Sequence, residues 1–337
     1  MIQGHGDDRY RYGLIRADFS SNVPGGVELQ GLRSHLAARL ELIGRYPEPE
    51  PYSLMREIAA RHGLREGEVA VTIGATEAIY LAAHLTAGAR SAVAEPAFAE
   101  YGDACRLYSH TLLHTSDPCT PPAGAEVLWC CNPNNPTGRT WERERLLEAI
   151  DRHPGVLFLI DQSYEDFTSR PVLSAREAAD RKNVVLFHSL TKHFAIPGLR
   201  LGYLTASEPL CEGLRRLRMP WSVNALAIEA GHYLLRHGTP GFDLELLRSE
   251  ARRIARALEA TGRFLTEPTD THFFLARLLR GTAAELKERL AREEGILIRD
   301  ASNFATLTPA HLRIAAQTPR ENNLLIDAIT RWTRLPH

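Results

Sequence analysis

The sequence predicts an α/β fold in two lobes: a large domain on a mostly parallel sheet and a small α+β domain. Three observations carry this. Between about residues 68 and 206, short β-rich runs alternate with helical stretches. Those runs are continuously apolar instead of alternating, as strands covered by helices on both faces must be. A length of 337 residues suits one large core and one smaller one.

Taken in order, residues 1–44 are too few for a domain of their own and are expected to pack on the small lobe and cross the mouth of the crevice. The large lobe is expected to hold strands at 68–73, 91–94, 126–131, 156–160, 184–188 and 201–205, with helices at 76–85 and 141–152 between them. After Asn224 a helical stretch leads into the amphipathic segment 242–261. The small lobe continues with strand 271–275, helix 283–294 and strands 296–299 and 311–315. The last helix starts at Pro319, because Thr318 suits an N-cap followed by proline in the first turn. The large domain is therefore set at 45–225, with 1–44 and 226–337 forming the small one.

Charge and cysteine content exclude several classes. Lys plus Arg total 40 against 41 Asp plus Glu, so no net field draws the chain to nucleic acid or to an anionic membrane. Five cysteines, at 105, 119, 130, 131 and 211, are an odd set without the close paired spacing of a metal site, which predicts no metal and a reducing setting. Cys130 and Cys131 end an apolar run and read as buried thiols. No apolar run approaches a membrane span and the N-terminus lacks a charged-then-apolar signal, so a soluble, cytoplasmic protein is expected.

In such a sheet, ligands belong at the carboxyl ends of the strands. Gly74 follows one run, the Asn- and Pro-rich loop 132–138 another, Asp161 closes a third and residues 189–192 follow a fourth. Lys192 stands behind two hydroxyls, Ser189 and Thr191, and eight positions before Arg200. A lysine that forms a Schiff base with pyridoxal 5'-phosphate needs such a fixed turn, with hydroxyl and guanidinium donors near the phosphate. The same stretch also fits an ordinary solvated lysine in a loop. Asp161 suits the protonated ring nitrogen of that cofactor, or a plain N-cap. Tyr164 and Asn135 suit its phenolic oxygen, although a loop such as 132–138 also reads as a turn. Ala75 and Thr76 open a helix whose N–H groups suit a phosphate, as in many capped βα turns. Phe98 fits stacking on the ring or core packing, and Tyr46 fits a contact across a subunit boundary or an exposed aromatic.

On these residues the chain resembles a fold-type I pyridoxal phosphate enzyme of the class I/II aminotransferase family, over essentially its full length. Within it the chain is most similar to the threonine-phosphate decarboxylases of cobalamin biosynthesis, with histidinol-phosphate aminotransferases as the nearest neighbours. Stretches 4–6, 98–101, 219–227 and 296–304 carry the first likeness, and Met219-Pro220-Trp221-Ser222-Val223-Asn224 is the most discriminating of them. The resemblance implies Lys192 as the Schiff-base lysine, Asp161 as the pyridinium partner, and Asn135 and Tyr164 at the phenolate. It implies phosphate contacts from Ala75, Thr76, Ser189 and Arg200, with Tyr46 donated by a second subunit of a homodimer. For a small phosphorylated amino-acid substrate it implies Arg313 at the α-carboxylate, with His5, Asn22 and Arg299 around the substrate and its phosphate.

The activity implied is decarboxylation of L-threonine O-3-phosphate to (R)-1-aminopropan-2-yl phosphate. The alternative is a histidinol-phosphate-type aminotransferase using 2-oxoglutarate and glutamate. The chain departs from the decarboxylase pattern at Asp7 and Asp8, where glycine and asparagine are usual, at Gln162 and Tyr164, and at Gln317 in place of a second arginine. Two carboxylates near a phosphoryl group repel it unless they point outward.

Overall fold

The computed structural model describes residues 6–238 and 241–334. Its strands are, in chain order, β1 (Ala17–Asp18), β2 (Val69–Thr72), β3 (Arg90–Ala94), β4 (Thr111–Thr115), β5 (Val127–Cys131), β6 (Leu157–Asp161) and β7 (Val184–Ser189). There follow β8 (Gly202–Ala206), β9 (Phe264–Thr266), β10 (Phe273–Leu278), β11 (Ile296–Leu297), β12 (Arg299–Asp300) and β13 (His311–Ala315).

Seven of these form one sheet in the order β2-β8-β7-β6-β5-β3-β4. Only β8 runs against its neighbours. The remaining pairs, from β7 across to β4, are parallel. Because β8 reverses twice, β2 points the same way as β7, and its carboxyl end joins those of β5, β6 and β7 on one edge.

The apolar runs divide by parity, as the period of a strand requires. Trp129, Leu159, Val185 and Phe187 pack on one face with Ala78 and Ile79 of the helix Ala75–Leu85 and with Tyr101 of the helix Ala99–Leu107. Leu128, Cys130, Phe158, Ile160 and Leu186 pack on the other with Leu146 and Ile150 of the helix Arg143–Arg152. Both faces are covered, which is why these strands are apolar up to their carboxyl ends, where Asp161 and His188 stand.

A second sheet, ordered β12-β13-β10-β9, carries the small core around Phe274, Ile314 and Leu325. The expected strand 296–299 is two short ones. β11 pairs in parallel with β1, while β12 pairs antiparallel with β13. The N-terminal segment is thereby paired, through β1, to β11. The helix expected at 283–294 is α-helical at Ala283–Arg289 and continues as a π turn, Leu290–Glu294. The final helix Pro319–Thr333 begins as expected, with Thr318 and Glu321 closing a capping box.

One assignment needs correction. The helix Ala225–His237, placed beyond the domain boundary on sequence, packs through Ala227, Ile228 and Leu234 on Leu54, Val69, Val71 and Tyr203. Leu32 joins the same cluster. Their apolar stripes cover the β2–β8 edge of the large sheet, so the large core draws on residues from both sides of the expected boundary. Strand β4 was also not foreseen, because Thr111–Thr115 is a partly exposed edge without a continuous apolar run. Among the described residues no helix is long and apolar enough to cross a membrane.

Phe158 is fully buried in β6, the strand that carries Asp161. Phe158→Ala is expected to cost about 3–5 kcal/mol, the usual loss for truncating a fully buried aromatic. Urea unfolding monitored by circular dichroism measures it, and a loss below about 1 kcal/mol would show that β6 is not a stability-determining strand.

Candidate active site

A crevice of about 230 Å³ lies where the carboxyl ends of β2, β5, β6 and β7 face β12 and β13 of the small lobe. Its floor belongs to the large sheet. Asp161 ends β6, with one carboxylate oxygen accepting from the Tyr101 hydroxyl at 2.8 Å and the other from the Ser163 amide at 2.9 Å. Burial pushes the pKa of Asp161 up, against the lowering effect of those donors and of His188. It makes no ion pair among the described residues, so a ligand bringing a positive N–H suits it.

Lys192 lies in the single turn Leu190–His193 that follows β7, and its Nζ donates to the Ser21 carbonyl at 2.8 Å. Burial lowers its pKa to about 8; Arg313 and Arg200 add to the effect, while Asp7 and Asp18 oppose it. Part of the amine is therefore neutral near neutral pH, the form that attacks a carbonyl.

At one end of the floor, a cup is built from close backbone approaches. Gly74, at φ 88°, turns the chain from β2 into the helix Ala75–Leu85. A Cβ on Gly74 would stand 2.7 Å from an Arg200 terminal nitrogen, and one on Gly202 would stand 3.0 Å from the Ala75 amide nitrogen. Only glycines let these parts meet. Ala75 and Thr76 open the helix, where N–H groups have no intrahelical acceptor, and Ser189 and Thr191 line the same crevice with Arg200. Backbone donors, hydroxyls and a guanidinium together suit a phosphate.

The opposite wall carries two arginines as direct partners across an antiparallel pair, Arg299 on β12 and Arg313 on β13. Like charges placed so repel each other. Arg313 donates to the Asn135 side-chain oxygen at 2.5 Å and to the Ser20 carbonyl, while its buried Nε has no partner. Arg299 donates to the Asn303 side chain at 2.6 Å and to the Asp300 carbonyl, and lies over the Phe304 ring. Burial lowers the pKa of Arg313 to about 10; burial and the charge of Arg313 lower that of Arg299 to about 9. Two desolvated guanidiniums facing one space call for anions.

Tyr164 and Phe98 complete the lining. Tyr164 is buried edge-on to Phe273, with centroids 4.8 Å apart, and burial raises its pKa to about 12. Phe98 precedes the helix Ala99–Leu107 and meets Tyr101 edge-on. Asn22, at φ 56°, is fully buried behind the crevice surface and does not line it. Its amide stands near enough to the Tyr164 hydroxyl to hold that pKa down somewhat, without closing a hydrogen bond of ordinary geometry.

Two expected residues, Asn22 and Tyr46, do not line the crevice. Tyr46 is 88% exposed, its ring against Trp221, away from the lining of this protomer. His5 lies outside the described residues. Of the departures, Asp8 turns inward to a buried ion pair with Lys287 at 2.6 Å, whereas Asp7 lines the crevice. Gln162 donates to the Leu173 carbonyl, and Gln317 to the Val23 carbonyl, so neither enters the crevice. Tyr101, Ser20, Ser21 and Cys131 were missed on sequence. Tyr101 carried a usable signal, three positions after Phe98 on a helix that starts at a strand end. The Ser20 and Ser21 contacts are made by backbone carbonyls, which no residue pattern marks.

The family model described as aminotransferase class I and II matches residues 32–329. The chain is 31% identical to the threonine-phosphate decarboxylase of Salmonella typhimurium, over 93% of this chain and 90% of that protein. It is 30% identical to a histidinol-phosphate aminotransferase of Symbiobacterium thermophilum, over 94% of this chain and 90% of that one. The crystal structure of L-threonine-O-3-phosphate decarboxylase from Porphyromonas gingivalis superposes with a TM-score of 0.91 at 36% identity, covering 94% of this chain and 99% of that one. With the phosphate cup, the buried carboxylate and the lysine arranged at the sheet edge, the chain belongs to the class I and II aminotransferase family and is a pyridoxal phosphate-dependent enzyme.

Proposed function

We propose that the enzyme decarboxylates L-threonine O-3-phosphate to (R)-1-aminopropan-2-yl phosphate, a step of cobalamin biosynthesis. One observation supports this reading beyond the relatives' names: three guanidiniums, those of Arg200, Arg299 and Arg313, line one crevice, enough for a cofactor phosphate and two substrate anions. Arg200 and the helix start take the cofactor phosphate, Arg313 takes an α-carboxylate, and Arg299 remains for a second substrate anion.

The cofactor fits the residues present. Asp161 would hold the ring nitrogen, Asn135 and Tyr164 the phenolic oxygen, Phe98 the ring face, and Ala75, Thr76, Ser189, Thr191 and Arg200 the phosphate, with Lys192 holding the aldehyde carbon. Bound there, pyridoxal phosphate supplies an electron sink for the pair released when a bond at the substrate's Cα breaks. The protein decides which bond that is. Arg313 fixes the carboxylate and Arg299 fixes the distal phosphate; two anchors set the rotation about Cα. Lys192 then delivers the proton that replaces the lost carboxylate.

The exposed aromatic Tyr46 is read as donated to the cofactor phosphate of a second copy. Its surroundings support a homodimer, since Leu40, Ile43, Met219 and Trp221 are exposed apolar residues at 52%, 73%, 77% and 48%. Five free, buried cysteines fit the cytoplasm.

The deciding experiment incubates the loaded enzyme with L-threonine O-3-phosphate and follows carbon dioxide and the phosphorylated amine by mass spectrometry. Product without any 2-oxo acid is expected. No product, with glutamate converting the cofactor to its pyridoxamine form, would move the enzyme to the aminotransferases. Lys192→Ala is expected to abolish turnover, and a fully active variant would remove the lysine from the mechanism. Arg299→Ala is expected to lower kcat/KM for the phosphorylated substrate by about 10–150-fold, the worth of one charged hydrogen-bonding group. The visible absorbance of the loaded protein should be unchanged, because Arg299 is read as touching substrate and not cofactor.

A further inference from the structure

The N-terminal arm crosses the crevice under tight constraint. A Cβ on Gly6 would stand 2.2 Å from the Ser20 carbonyl oxygen, so the arm's backbone lies directly on that residue. Asp7 follows at φ 60°, a left-handed conformation that aspartate and asparagine tolerate better than most side chains. Its amide donates to the Ser20 hydroxyl at 2.8 Å, and that hydroxyl donates to Asp18 at 2.7 Å. Arg9 bridges the two carboxylates, 3.1 Å from Asp7 and 3.0 Å from the buried Asp18. The next carbonyl along, that of Ser21, holds the Lys192 amine. Thus the segment that fixes Asp7 also fixes Lys192, and both side chains line one crevice.

The charged groups acting on Lys192 are unequal. Arg313 and Arg200 disfavour its ammonium form, the ring of buried His272 lies within the same field, and Asp7 and Asp18 favour the ammonium. Burial and the neighbouring Asp18 push the pKa of Asp7 up, while Arg9 and Lys192 hold it down. Asp18 is fully engaged by Ser20 and Arg9, whereas Asp7 keeps about half its side chain open to the crevice mouth. That opening closes to water when a substrate enters, and a charge then acts more strongly than in solvent.

We propose that Asp7 is a positioning residue that acts through Lys192, as the counter-charge that keeps the lysine an ammonium able to deliver its proton to the substrate's Cα. This rests on the reading of Lys192 as the proton donor after carbon dioxide leaves. The N–H bond of the ammonium breaks, the C–H bond at Cα forms on the electron pair left by decarboxylation, and a neutral amine remains. The aspartate at this place in the arm supplies a charge that offsets the surrounding guanidiniums.

The test compares wild type, Asp7→Asn and Asp7→Glu. Asparagine keeps the left-handed backbone and removes only the charge. In the cofactor-free protein, the pH dependence of Lys192 acylation, read by peptide mass spectrometry, gives the titration midpoint of the amine. Asp7→Asn is expected to lower that midpoint by about half a unit, a small shift because the carboxylate is half exposed, and Asp7→Glu to restore it. In the loaded enzyme, Asp7→Asn is expected to move the high-pH fall of kcat to lower pH without raising KM, again with rescue by glutamate. A midpoint within about 0.1 unit of wild type, or no rescue by glutamate, overturns the proposal. The acylation measurement needs no substrate, so a shifted midpoint in an enzyme that does not decarboxylate phosphothreonine would overturn the functional reading and leave the coupling of Asp7 to Lys192 standing.

Discussion

Everything at the active site hangs on two backbone carbonyls. Ser20 offers its oxygen to Arg313 and Ser21 offers its own to Lys192, so a cation on β13 and one in the turn after β7 are held by one short segment that follows β1. Backbone acceptors suit this task because they are fixed by the pairing of β1 with β11 and do not titrate. Desolvated cations left without such acceptors would lose stability on the scale of buried unpaired charges. The carbonyls keep them oriented while leaving their charge uncancelled.

That uncancelled charge explains the shape of the surrounding structure. Lys192, Arg200, Arg299 and Arg313 line one crevice, and among the described residues that line it only Asp7 and Asp161 are opposite in sign. Repulsion between Arg299 and Arg313 is imposed by strand register, since β12 and β13 place them as direct partners. A register slip of one residue in either strand would turn that strand's arginine to the other face. The neighbouring core residues Leu312 and Ile314, fully buried, hold that register. Hydrophobic packing in the small lobe thus holds a charge arrangement that favours anions over an empty crevice.

The large-lobe half of the site was legible in the sequence because it follows from the ends of apolar runs. Asp161, Lys192 and the Gly74 turn each sit at the point where such a run stops, and a parallel sheet brings those points to one edge. The exact turn of β8 between β2 and β7 left this unchanged, because two reversals restore the direction of β2. The small-lobe half was less legible. Its arginines lie within strands, where a charged residue has no periodic mark, and Arg299 and Arg313 were reached through family likeness. The helix Ala225–His237 was misplaced because its amphipathic pattern names a buried face and not the core that buries it.

The departures from the decarboxylase pattern separate by what each replacement touches. Gln162 and Gln317 spend their amides on the Leu173 and Val23 carbonyls and serve the scaffold around the site. Asp8 is neutralised by Lys287 on the helix Ala283–Arg289, so one of the two unusual carboxylates fastens the arm to the small lobe instead of repelling a ligand. A buried pair of this kind costs desolvation and gains little net stability, but breaking it by removing one partner leaves a charge exposed to the core. The arm is therefore held in one place by the same residue that looked least compatible with an anionic substrate. Of the two unusual carboxylates, Asp7 alone projects charge into the crevice, facing the wall that carries Arg299 and Arg313.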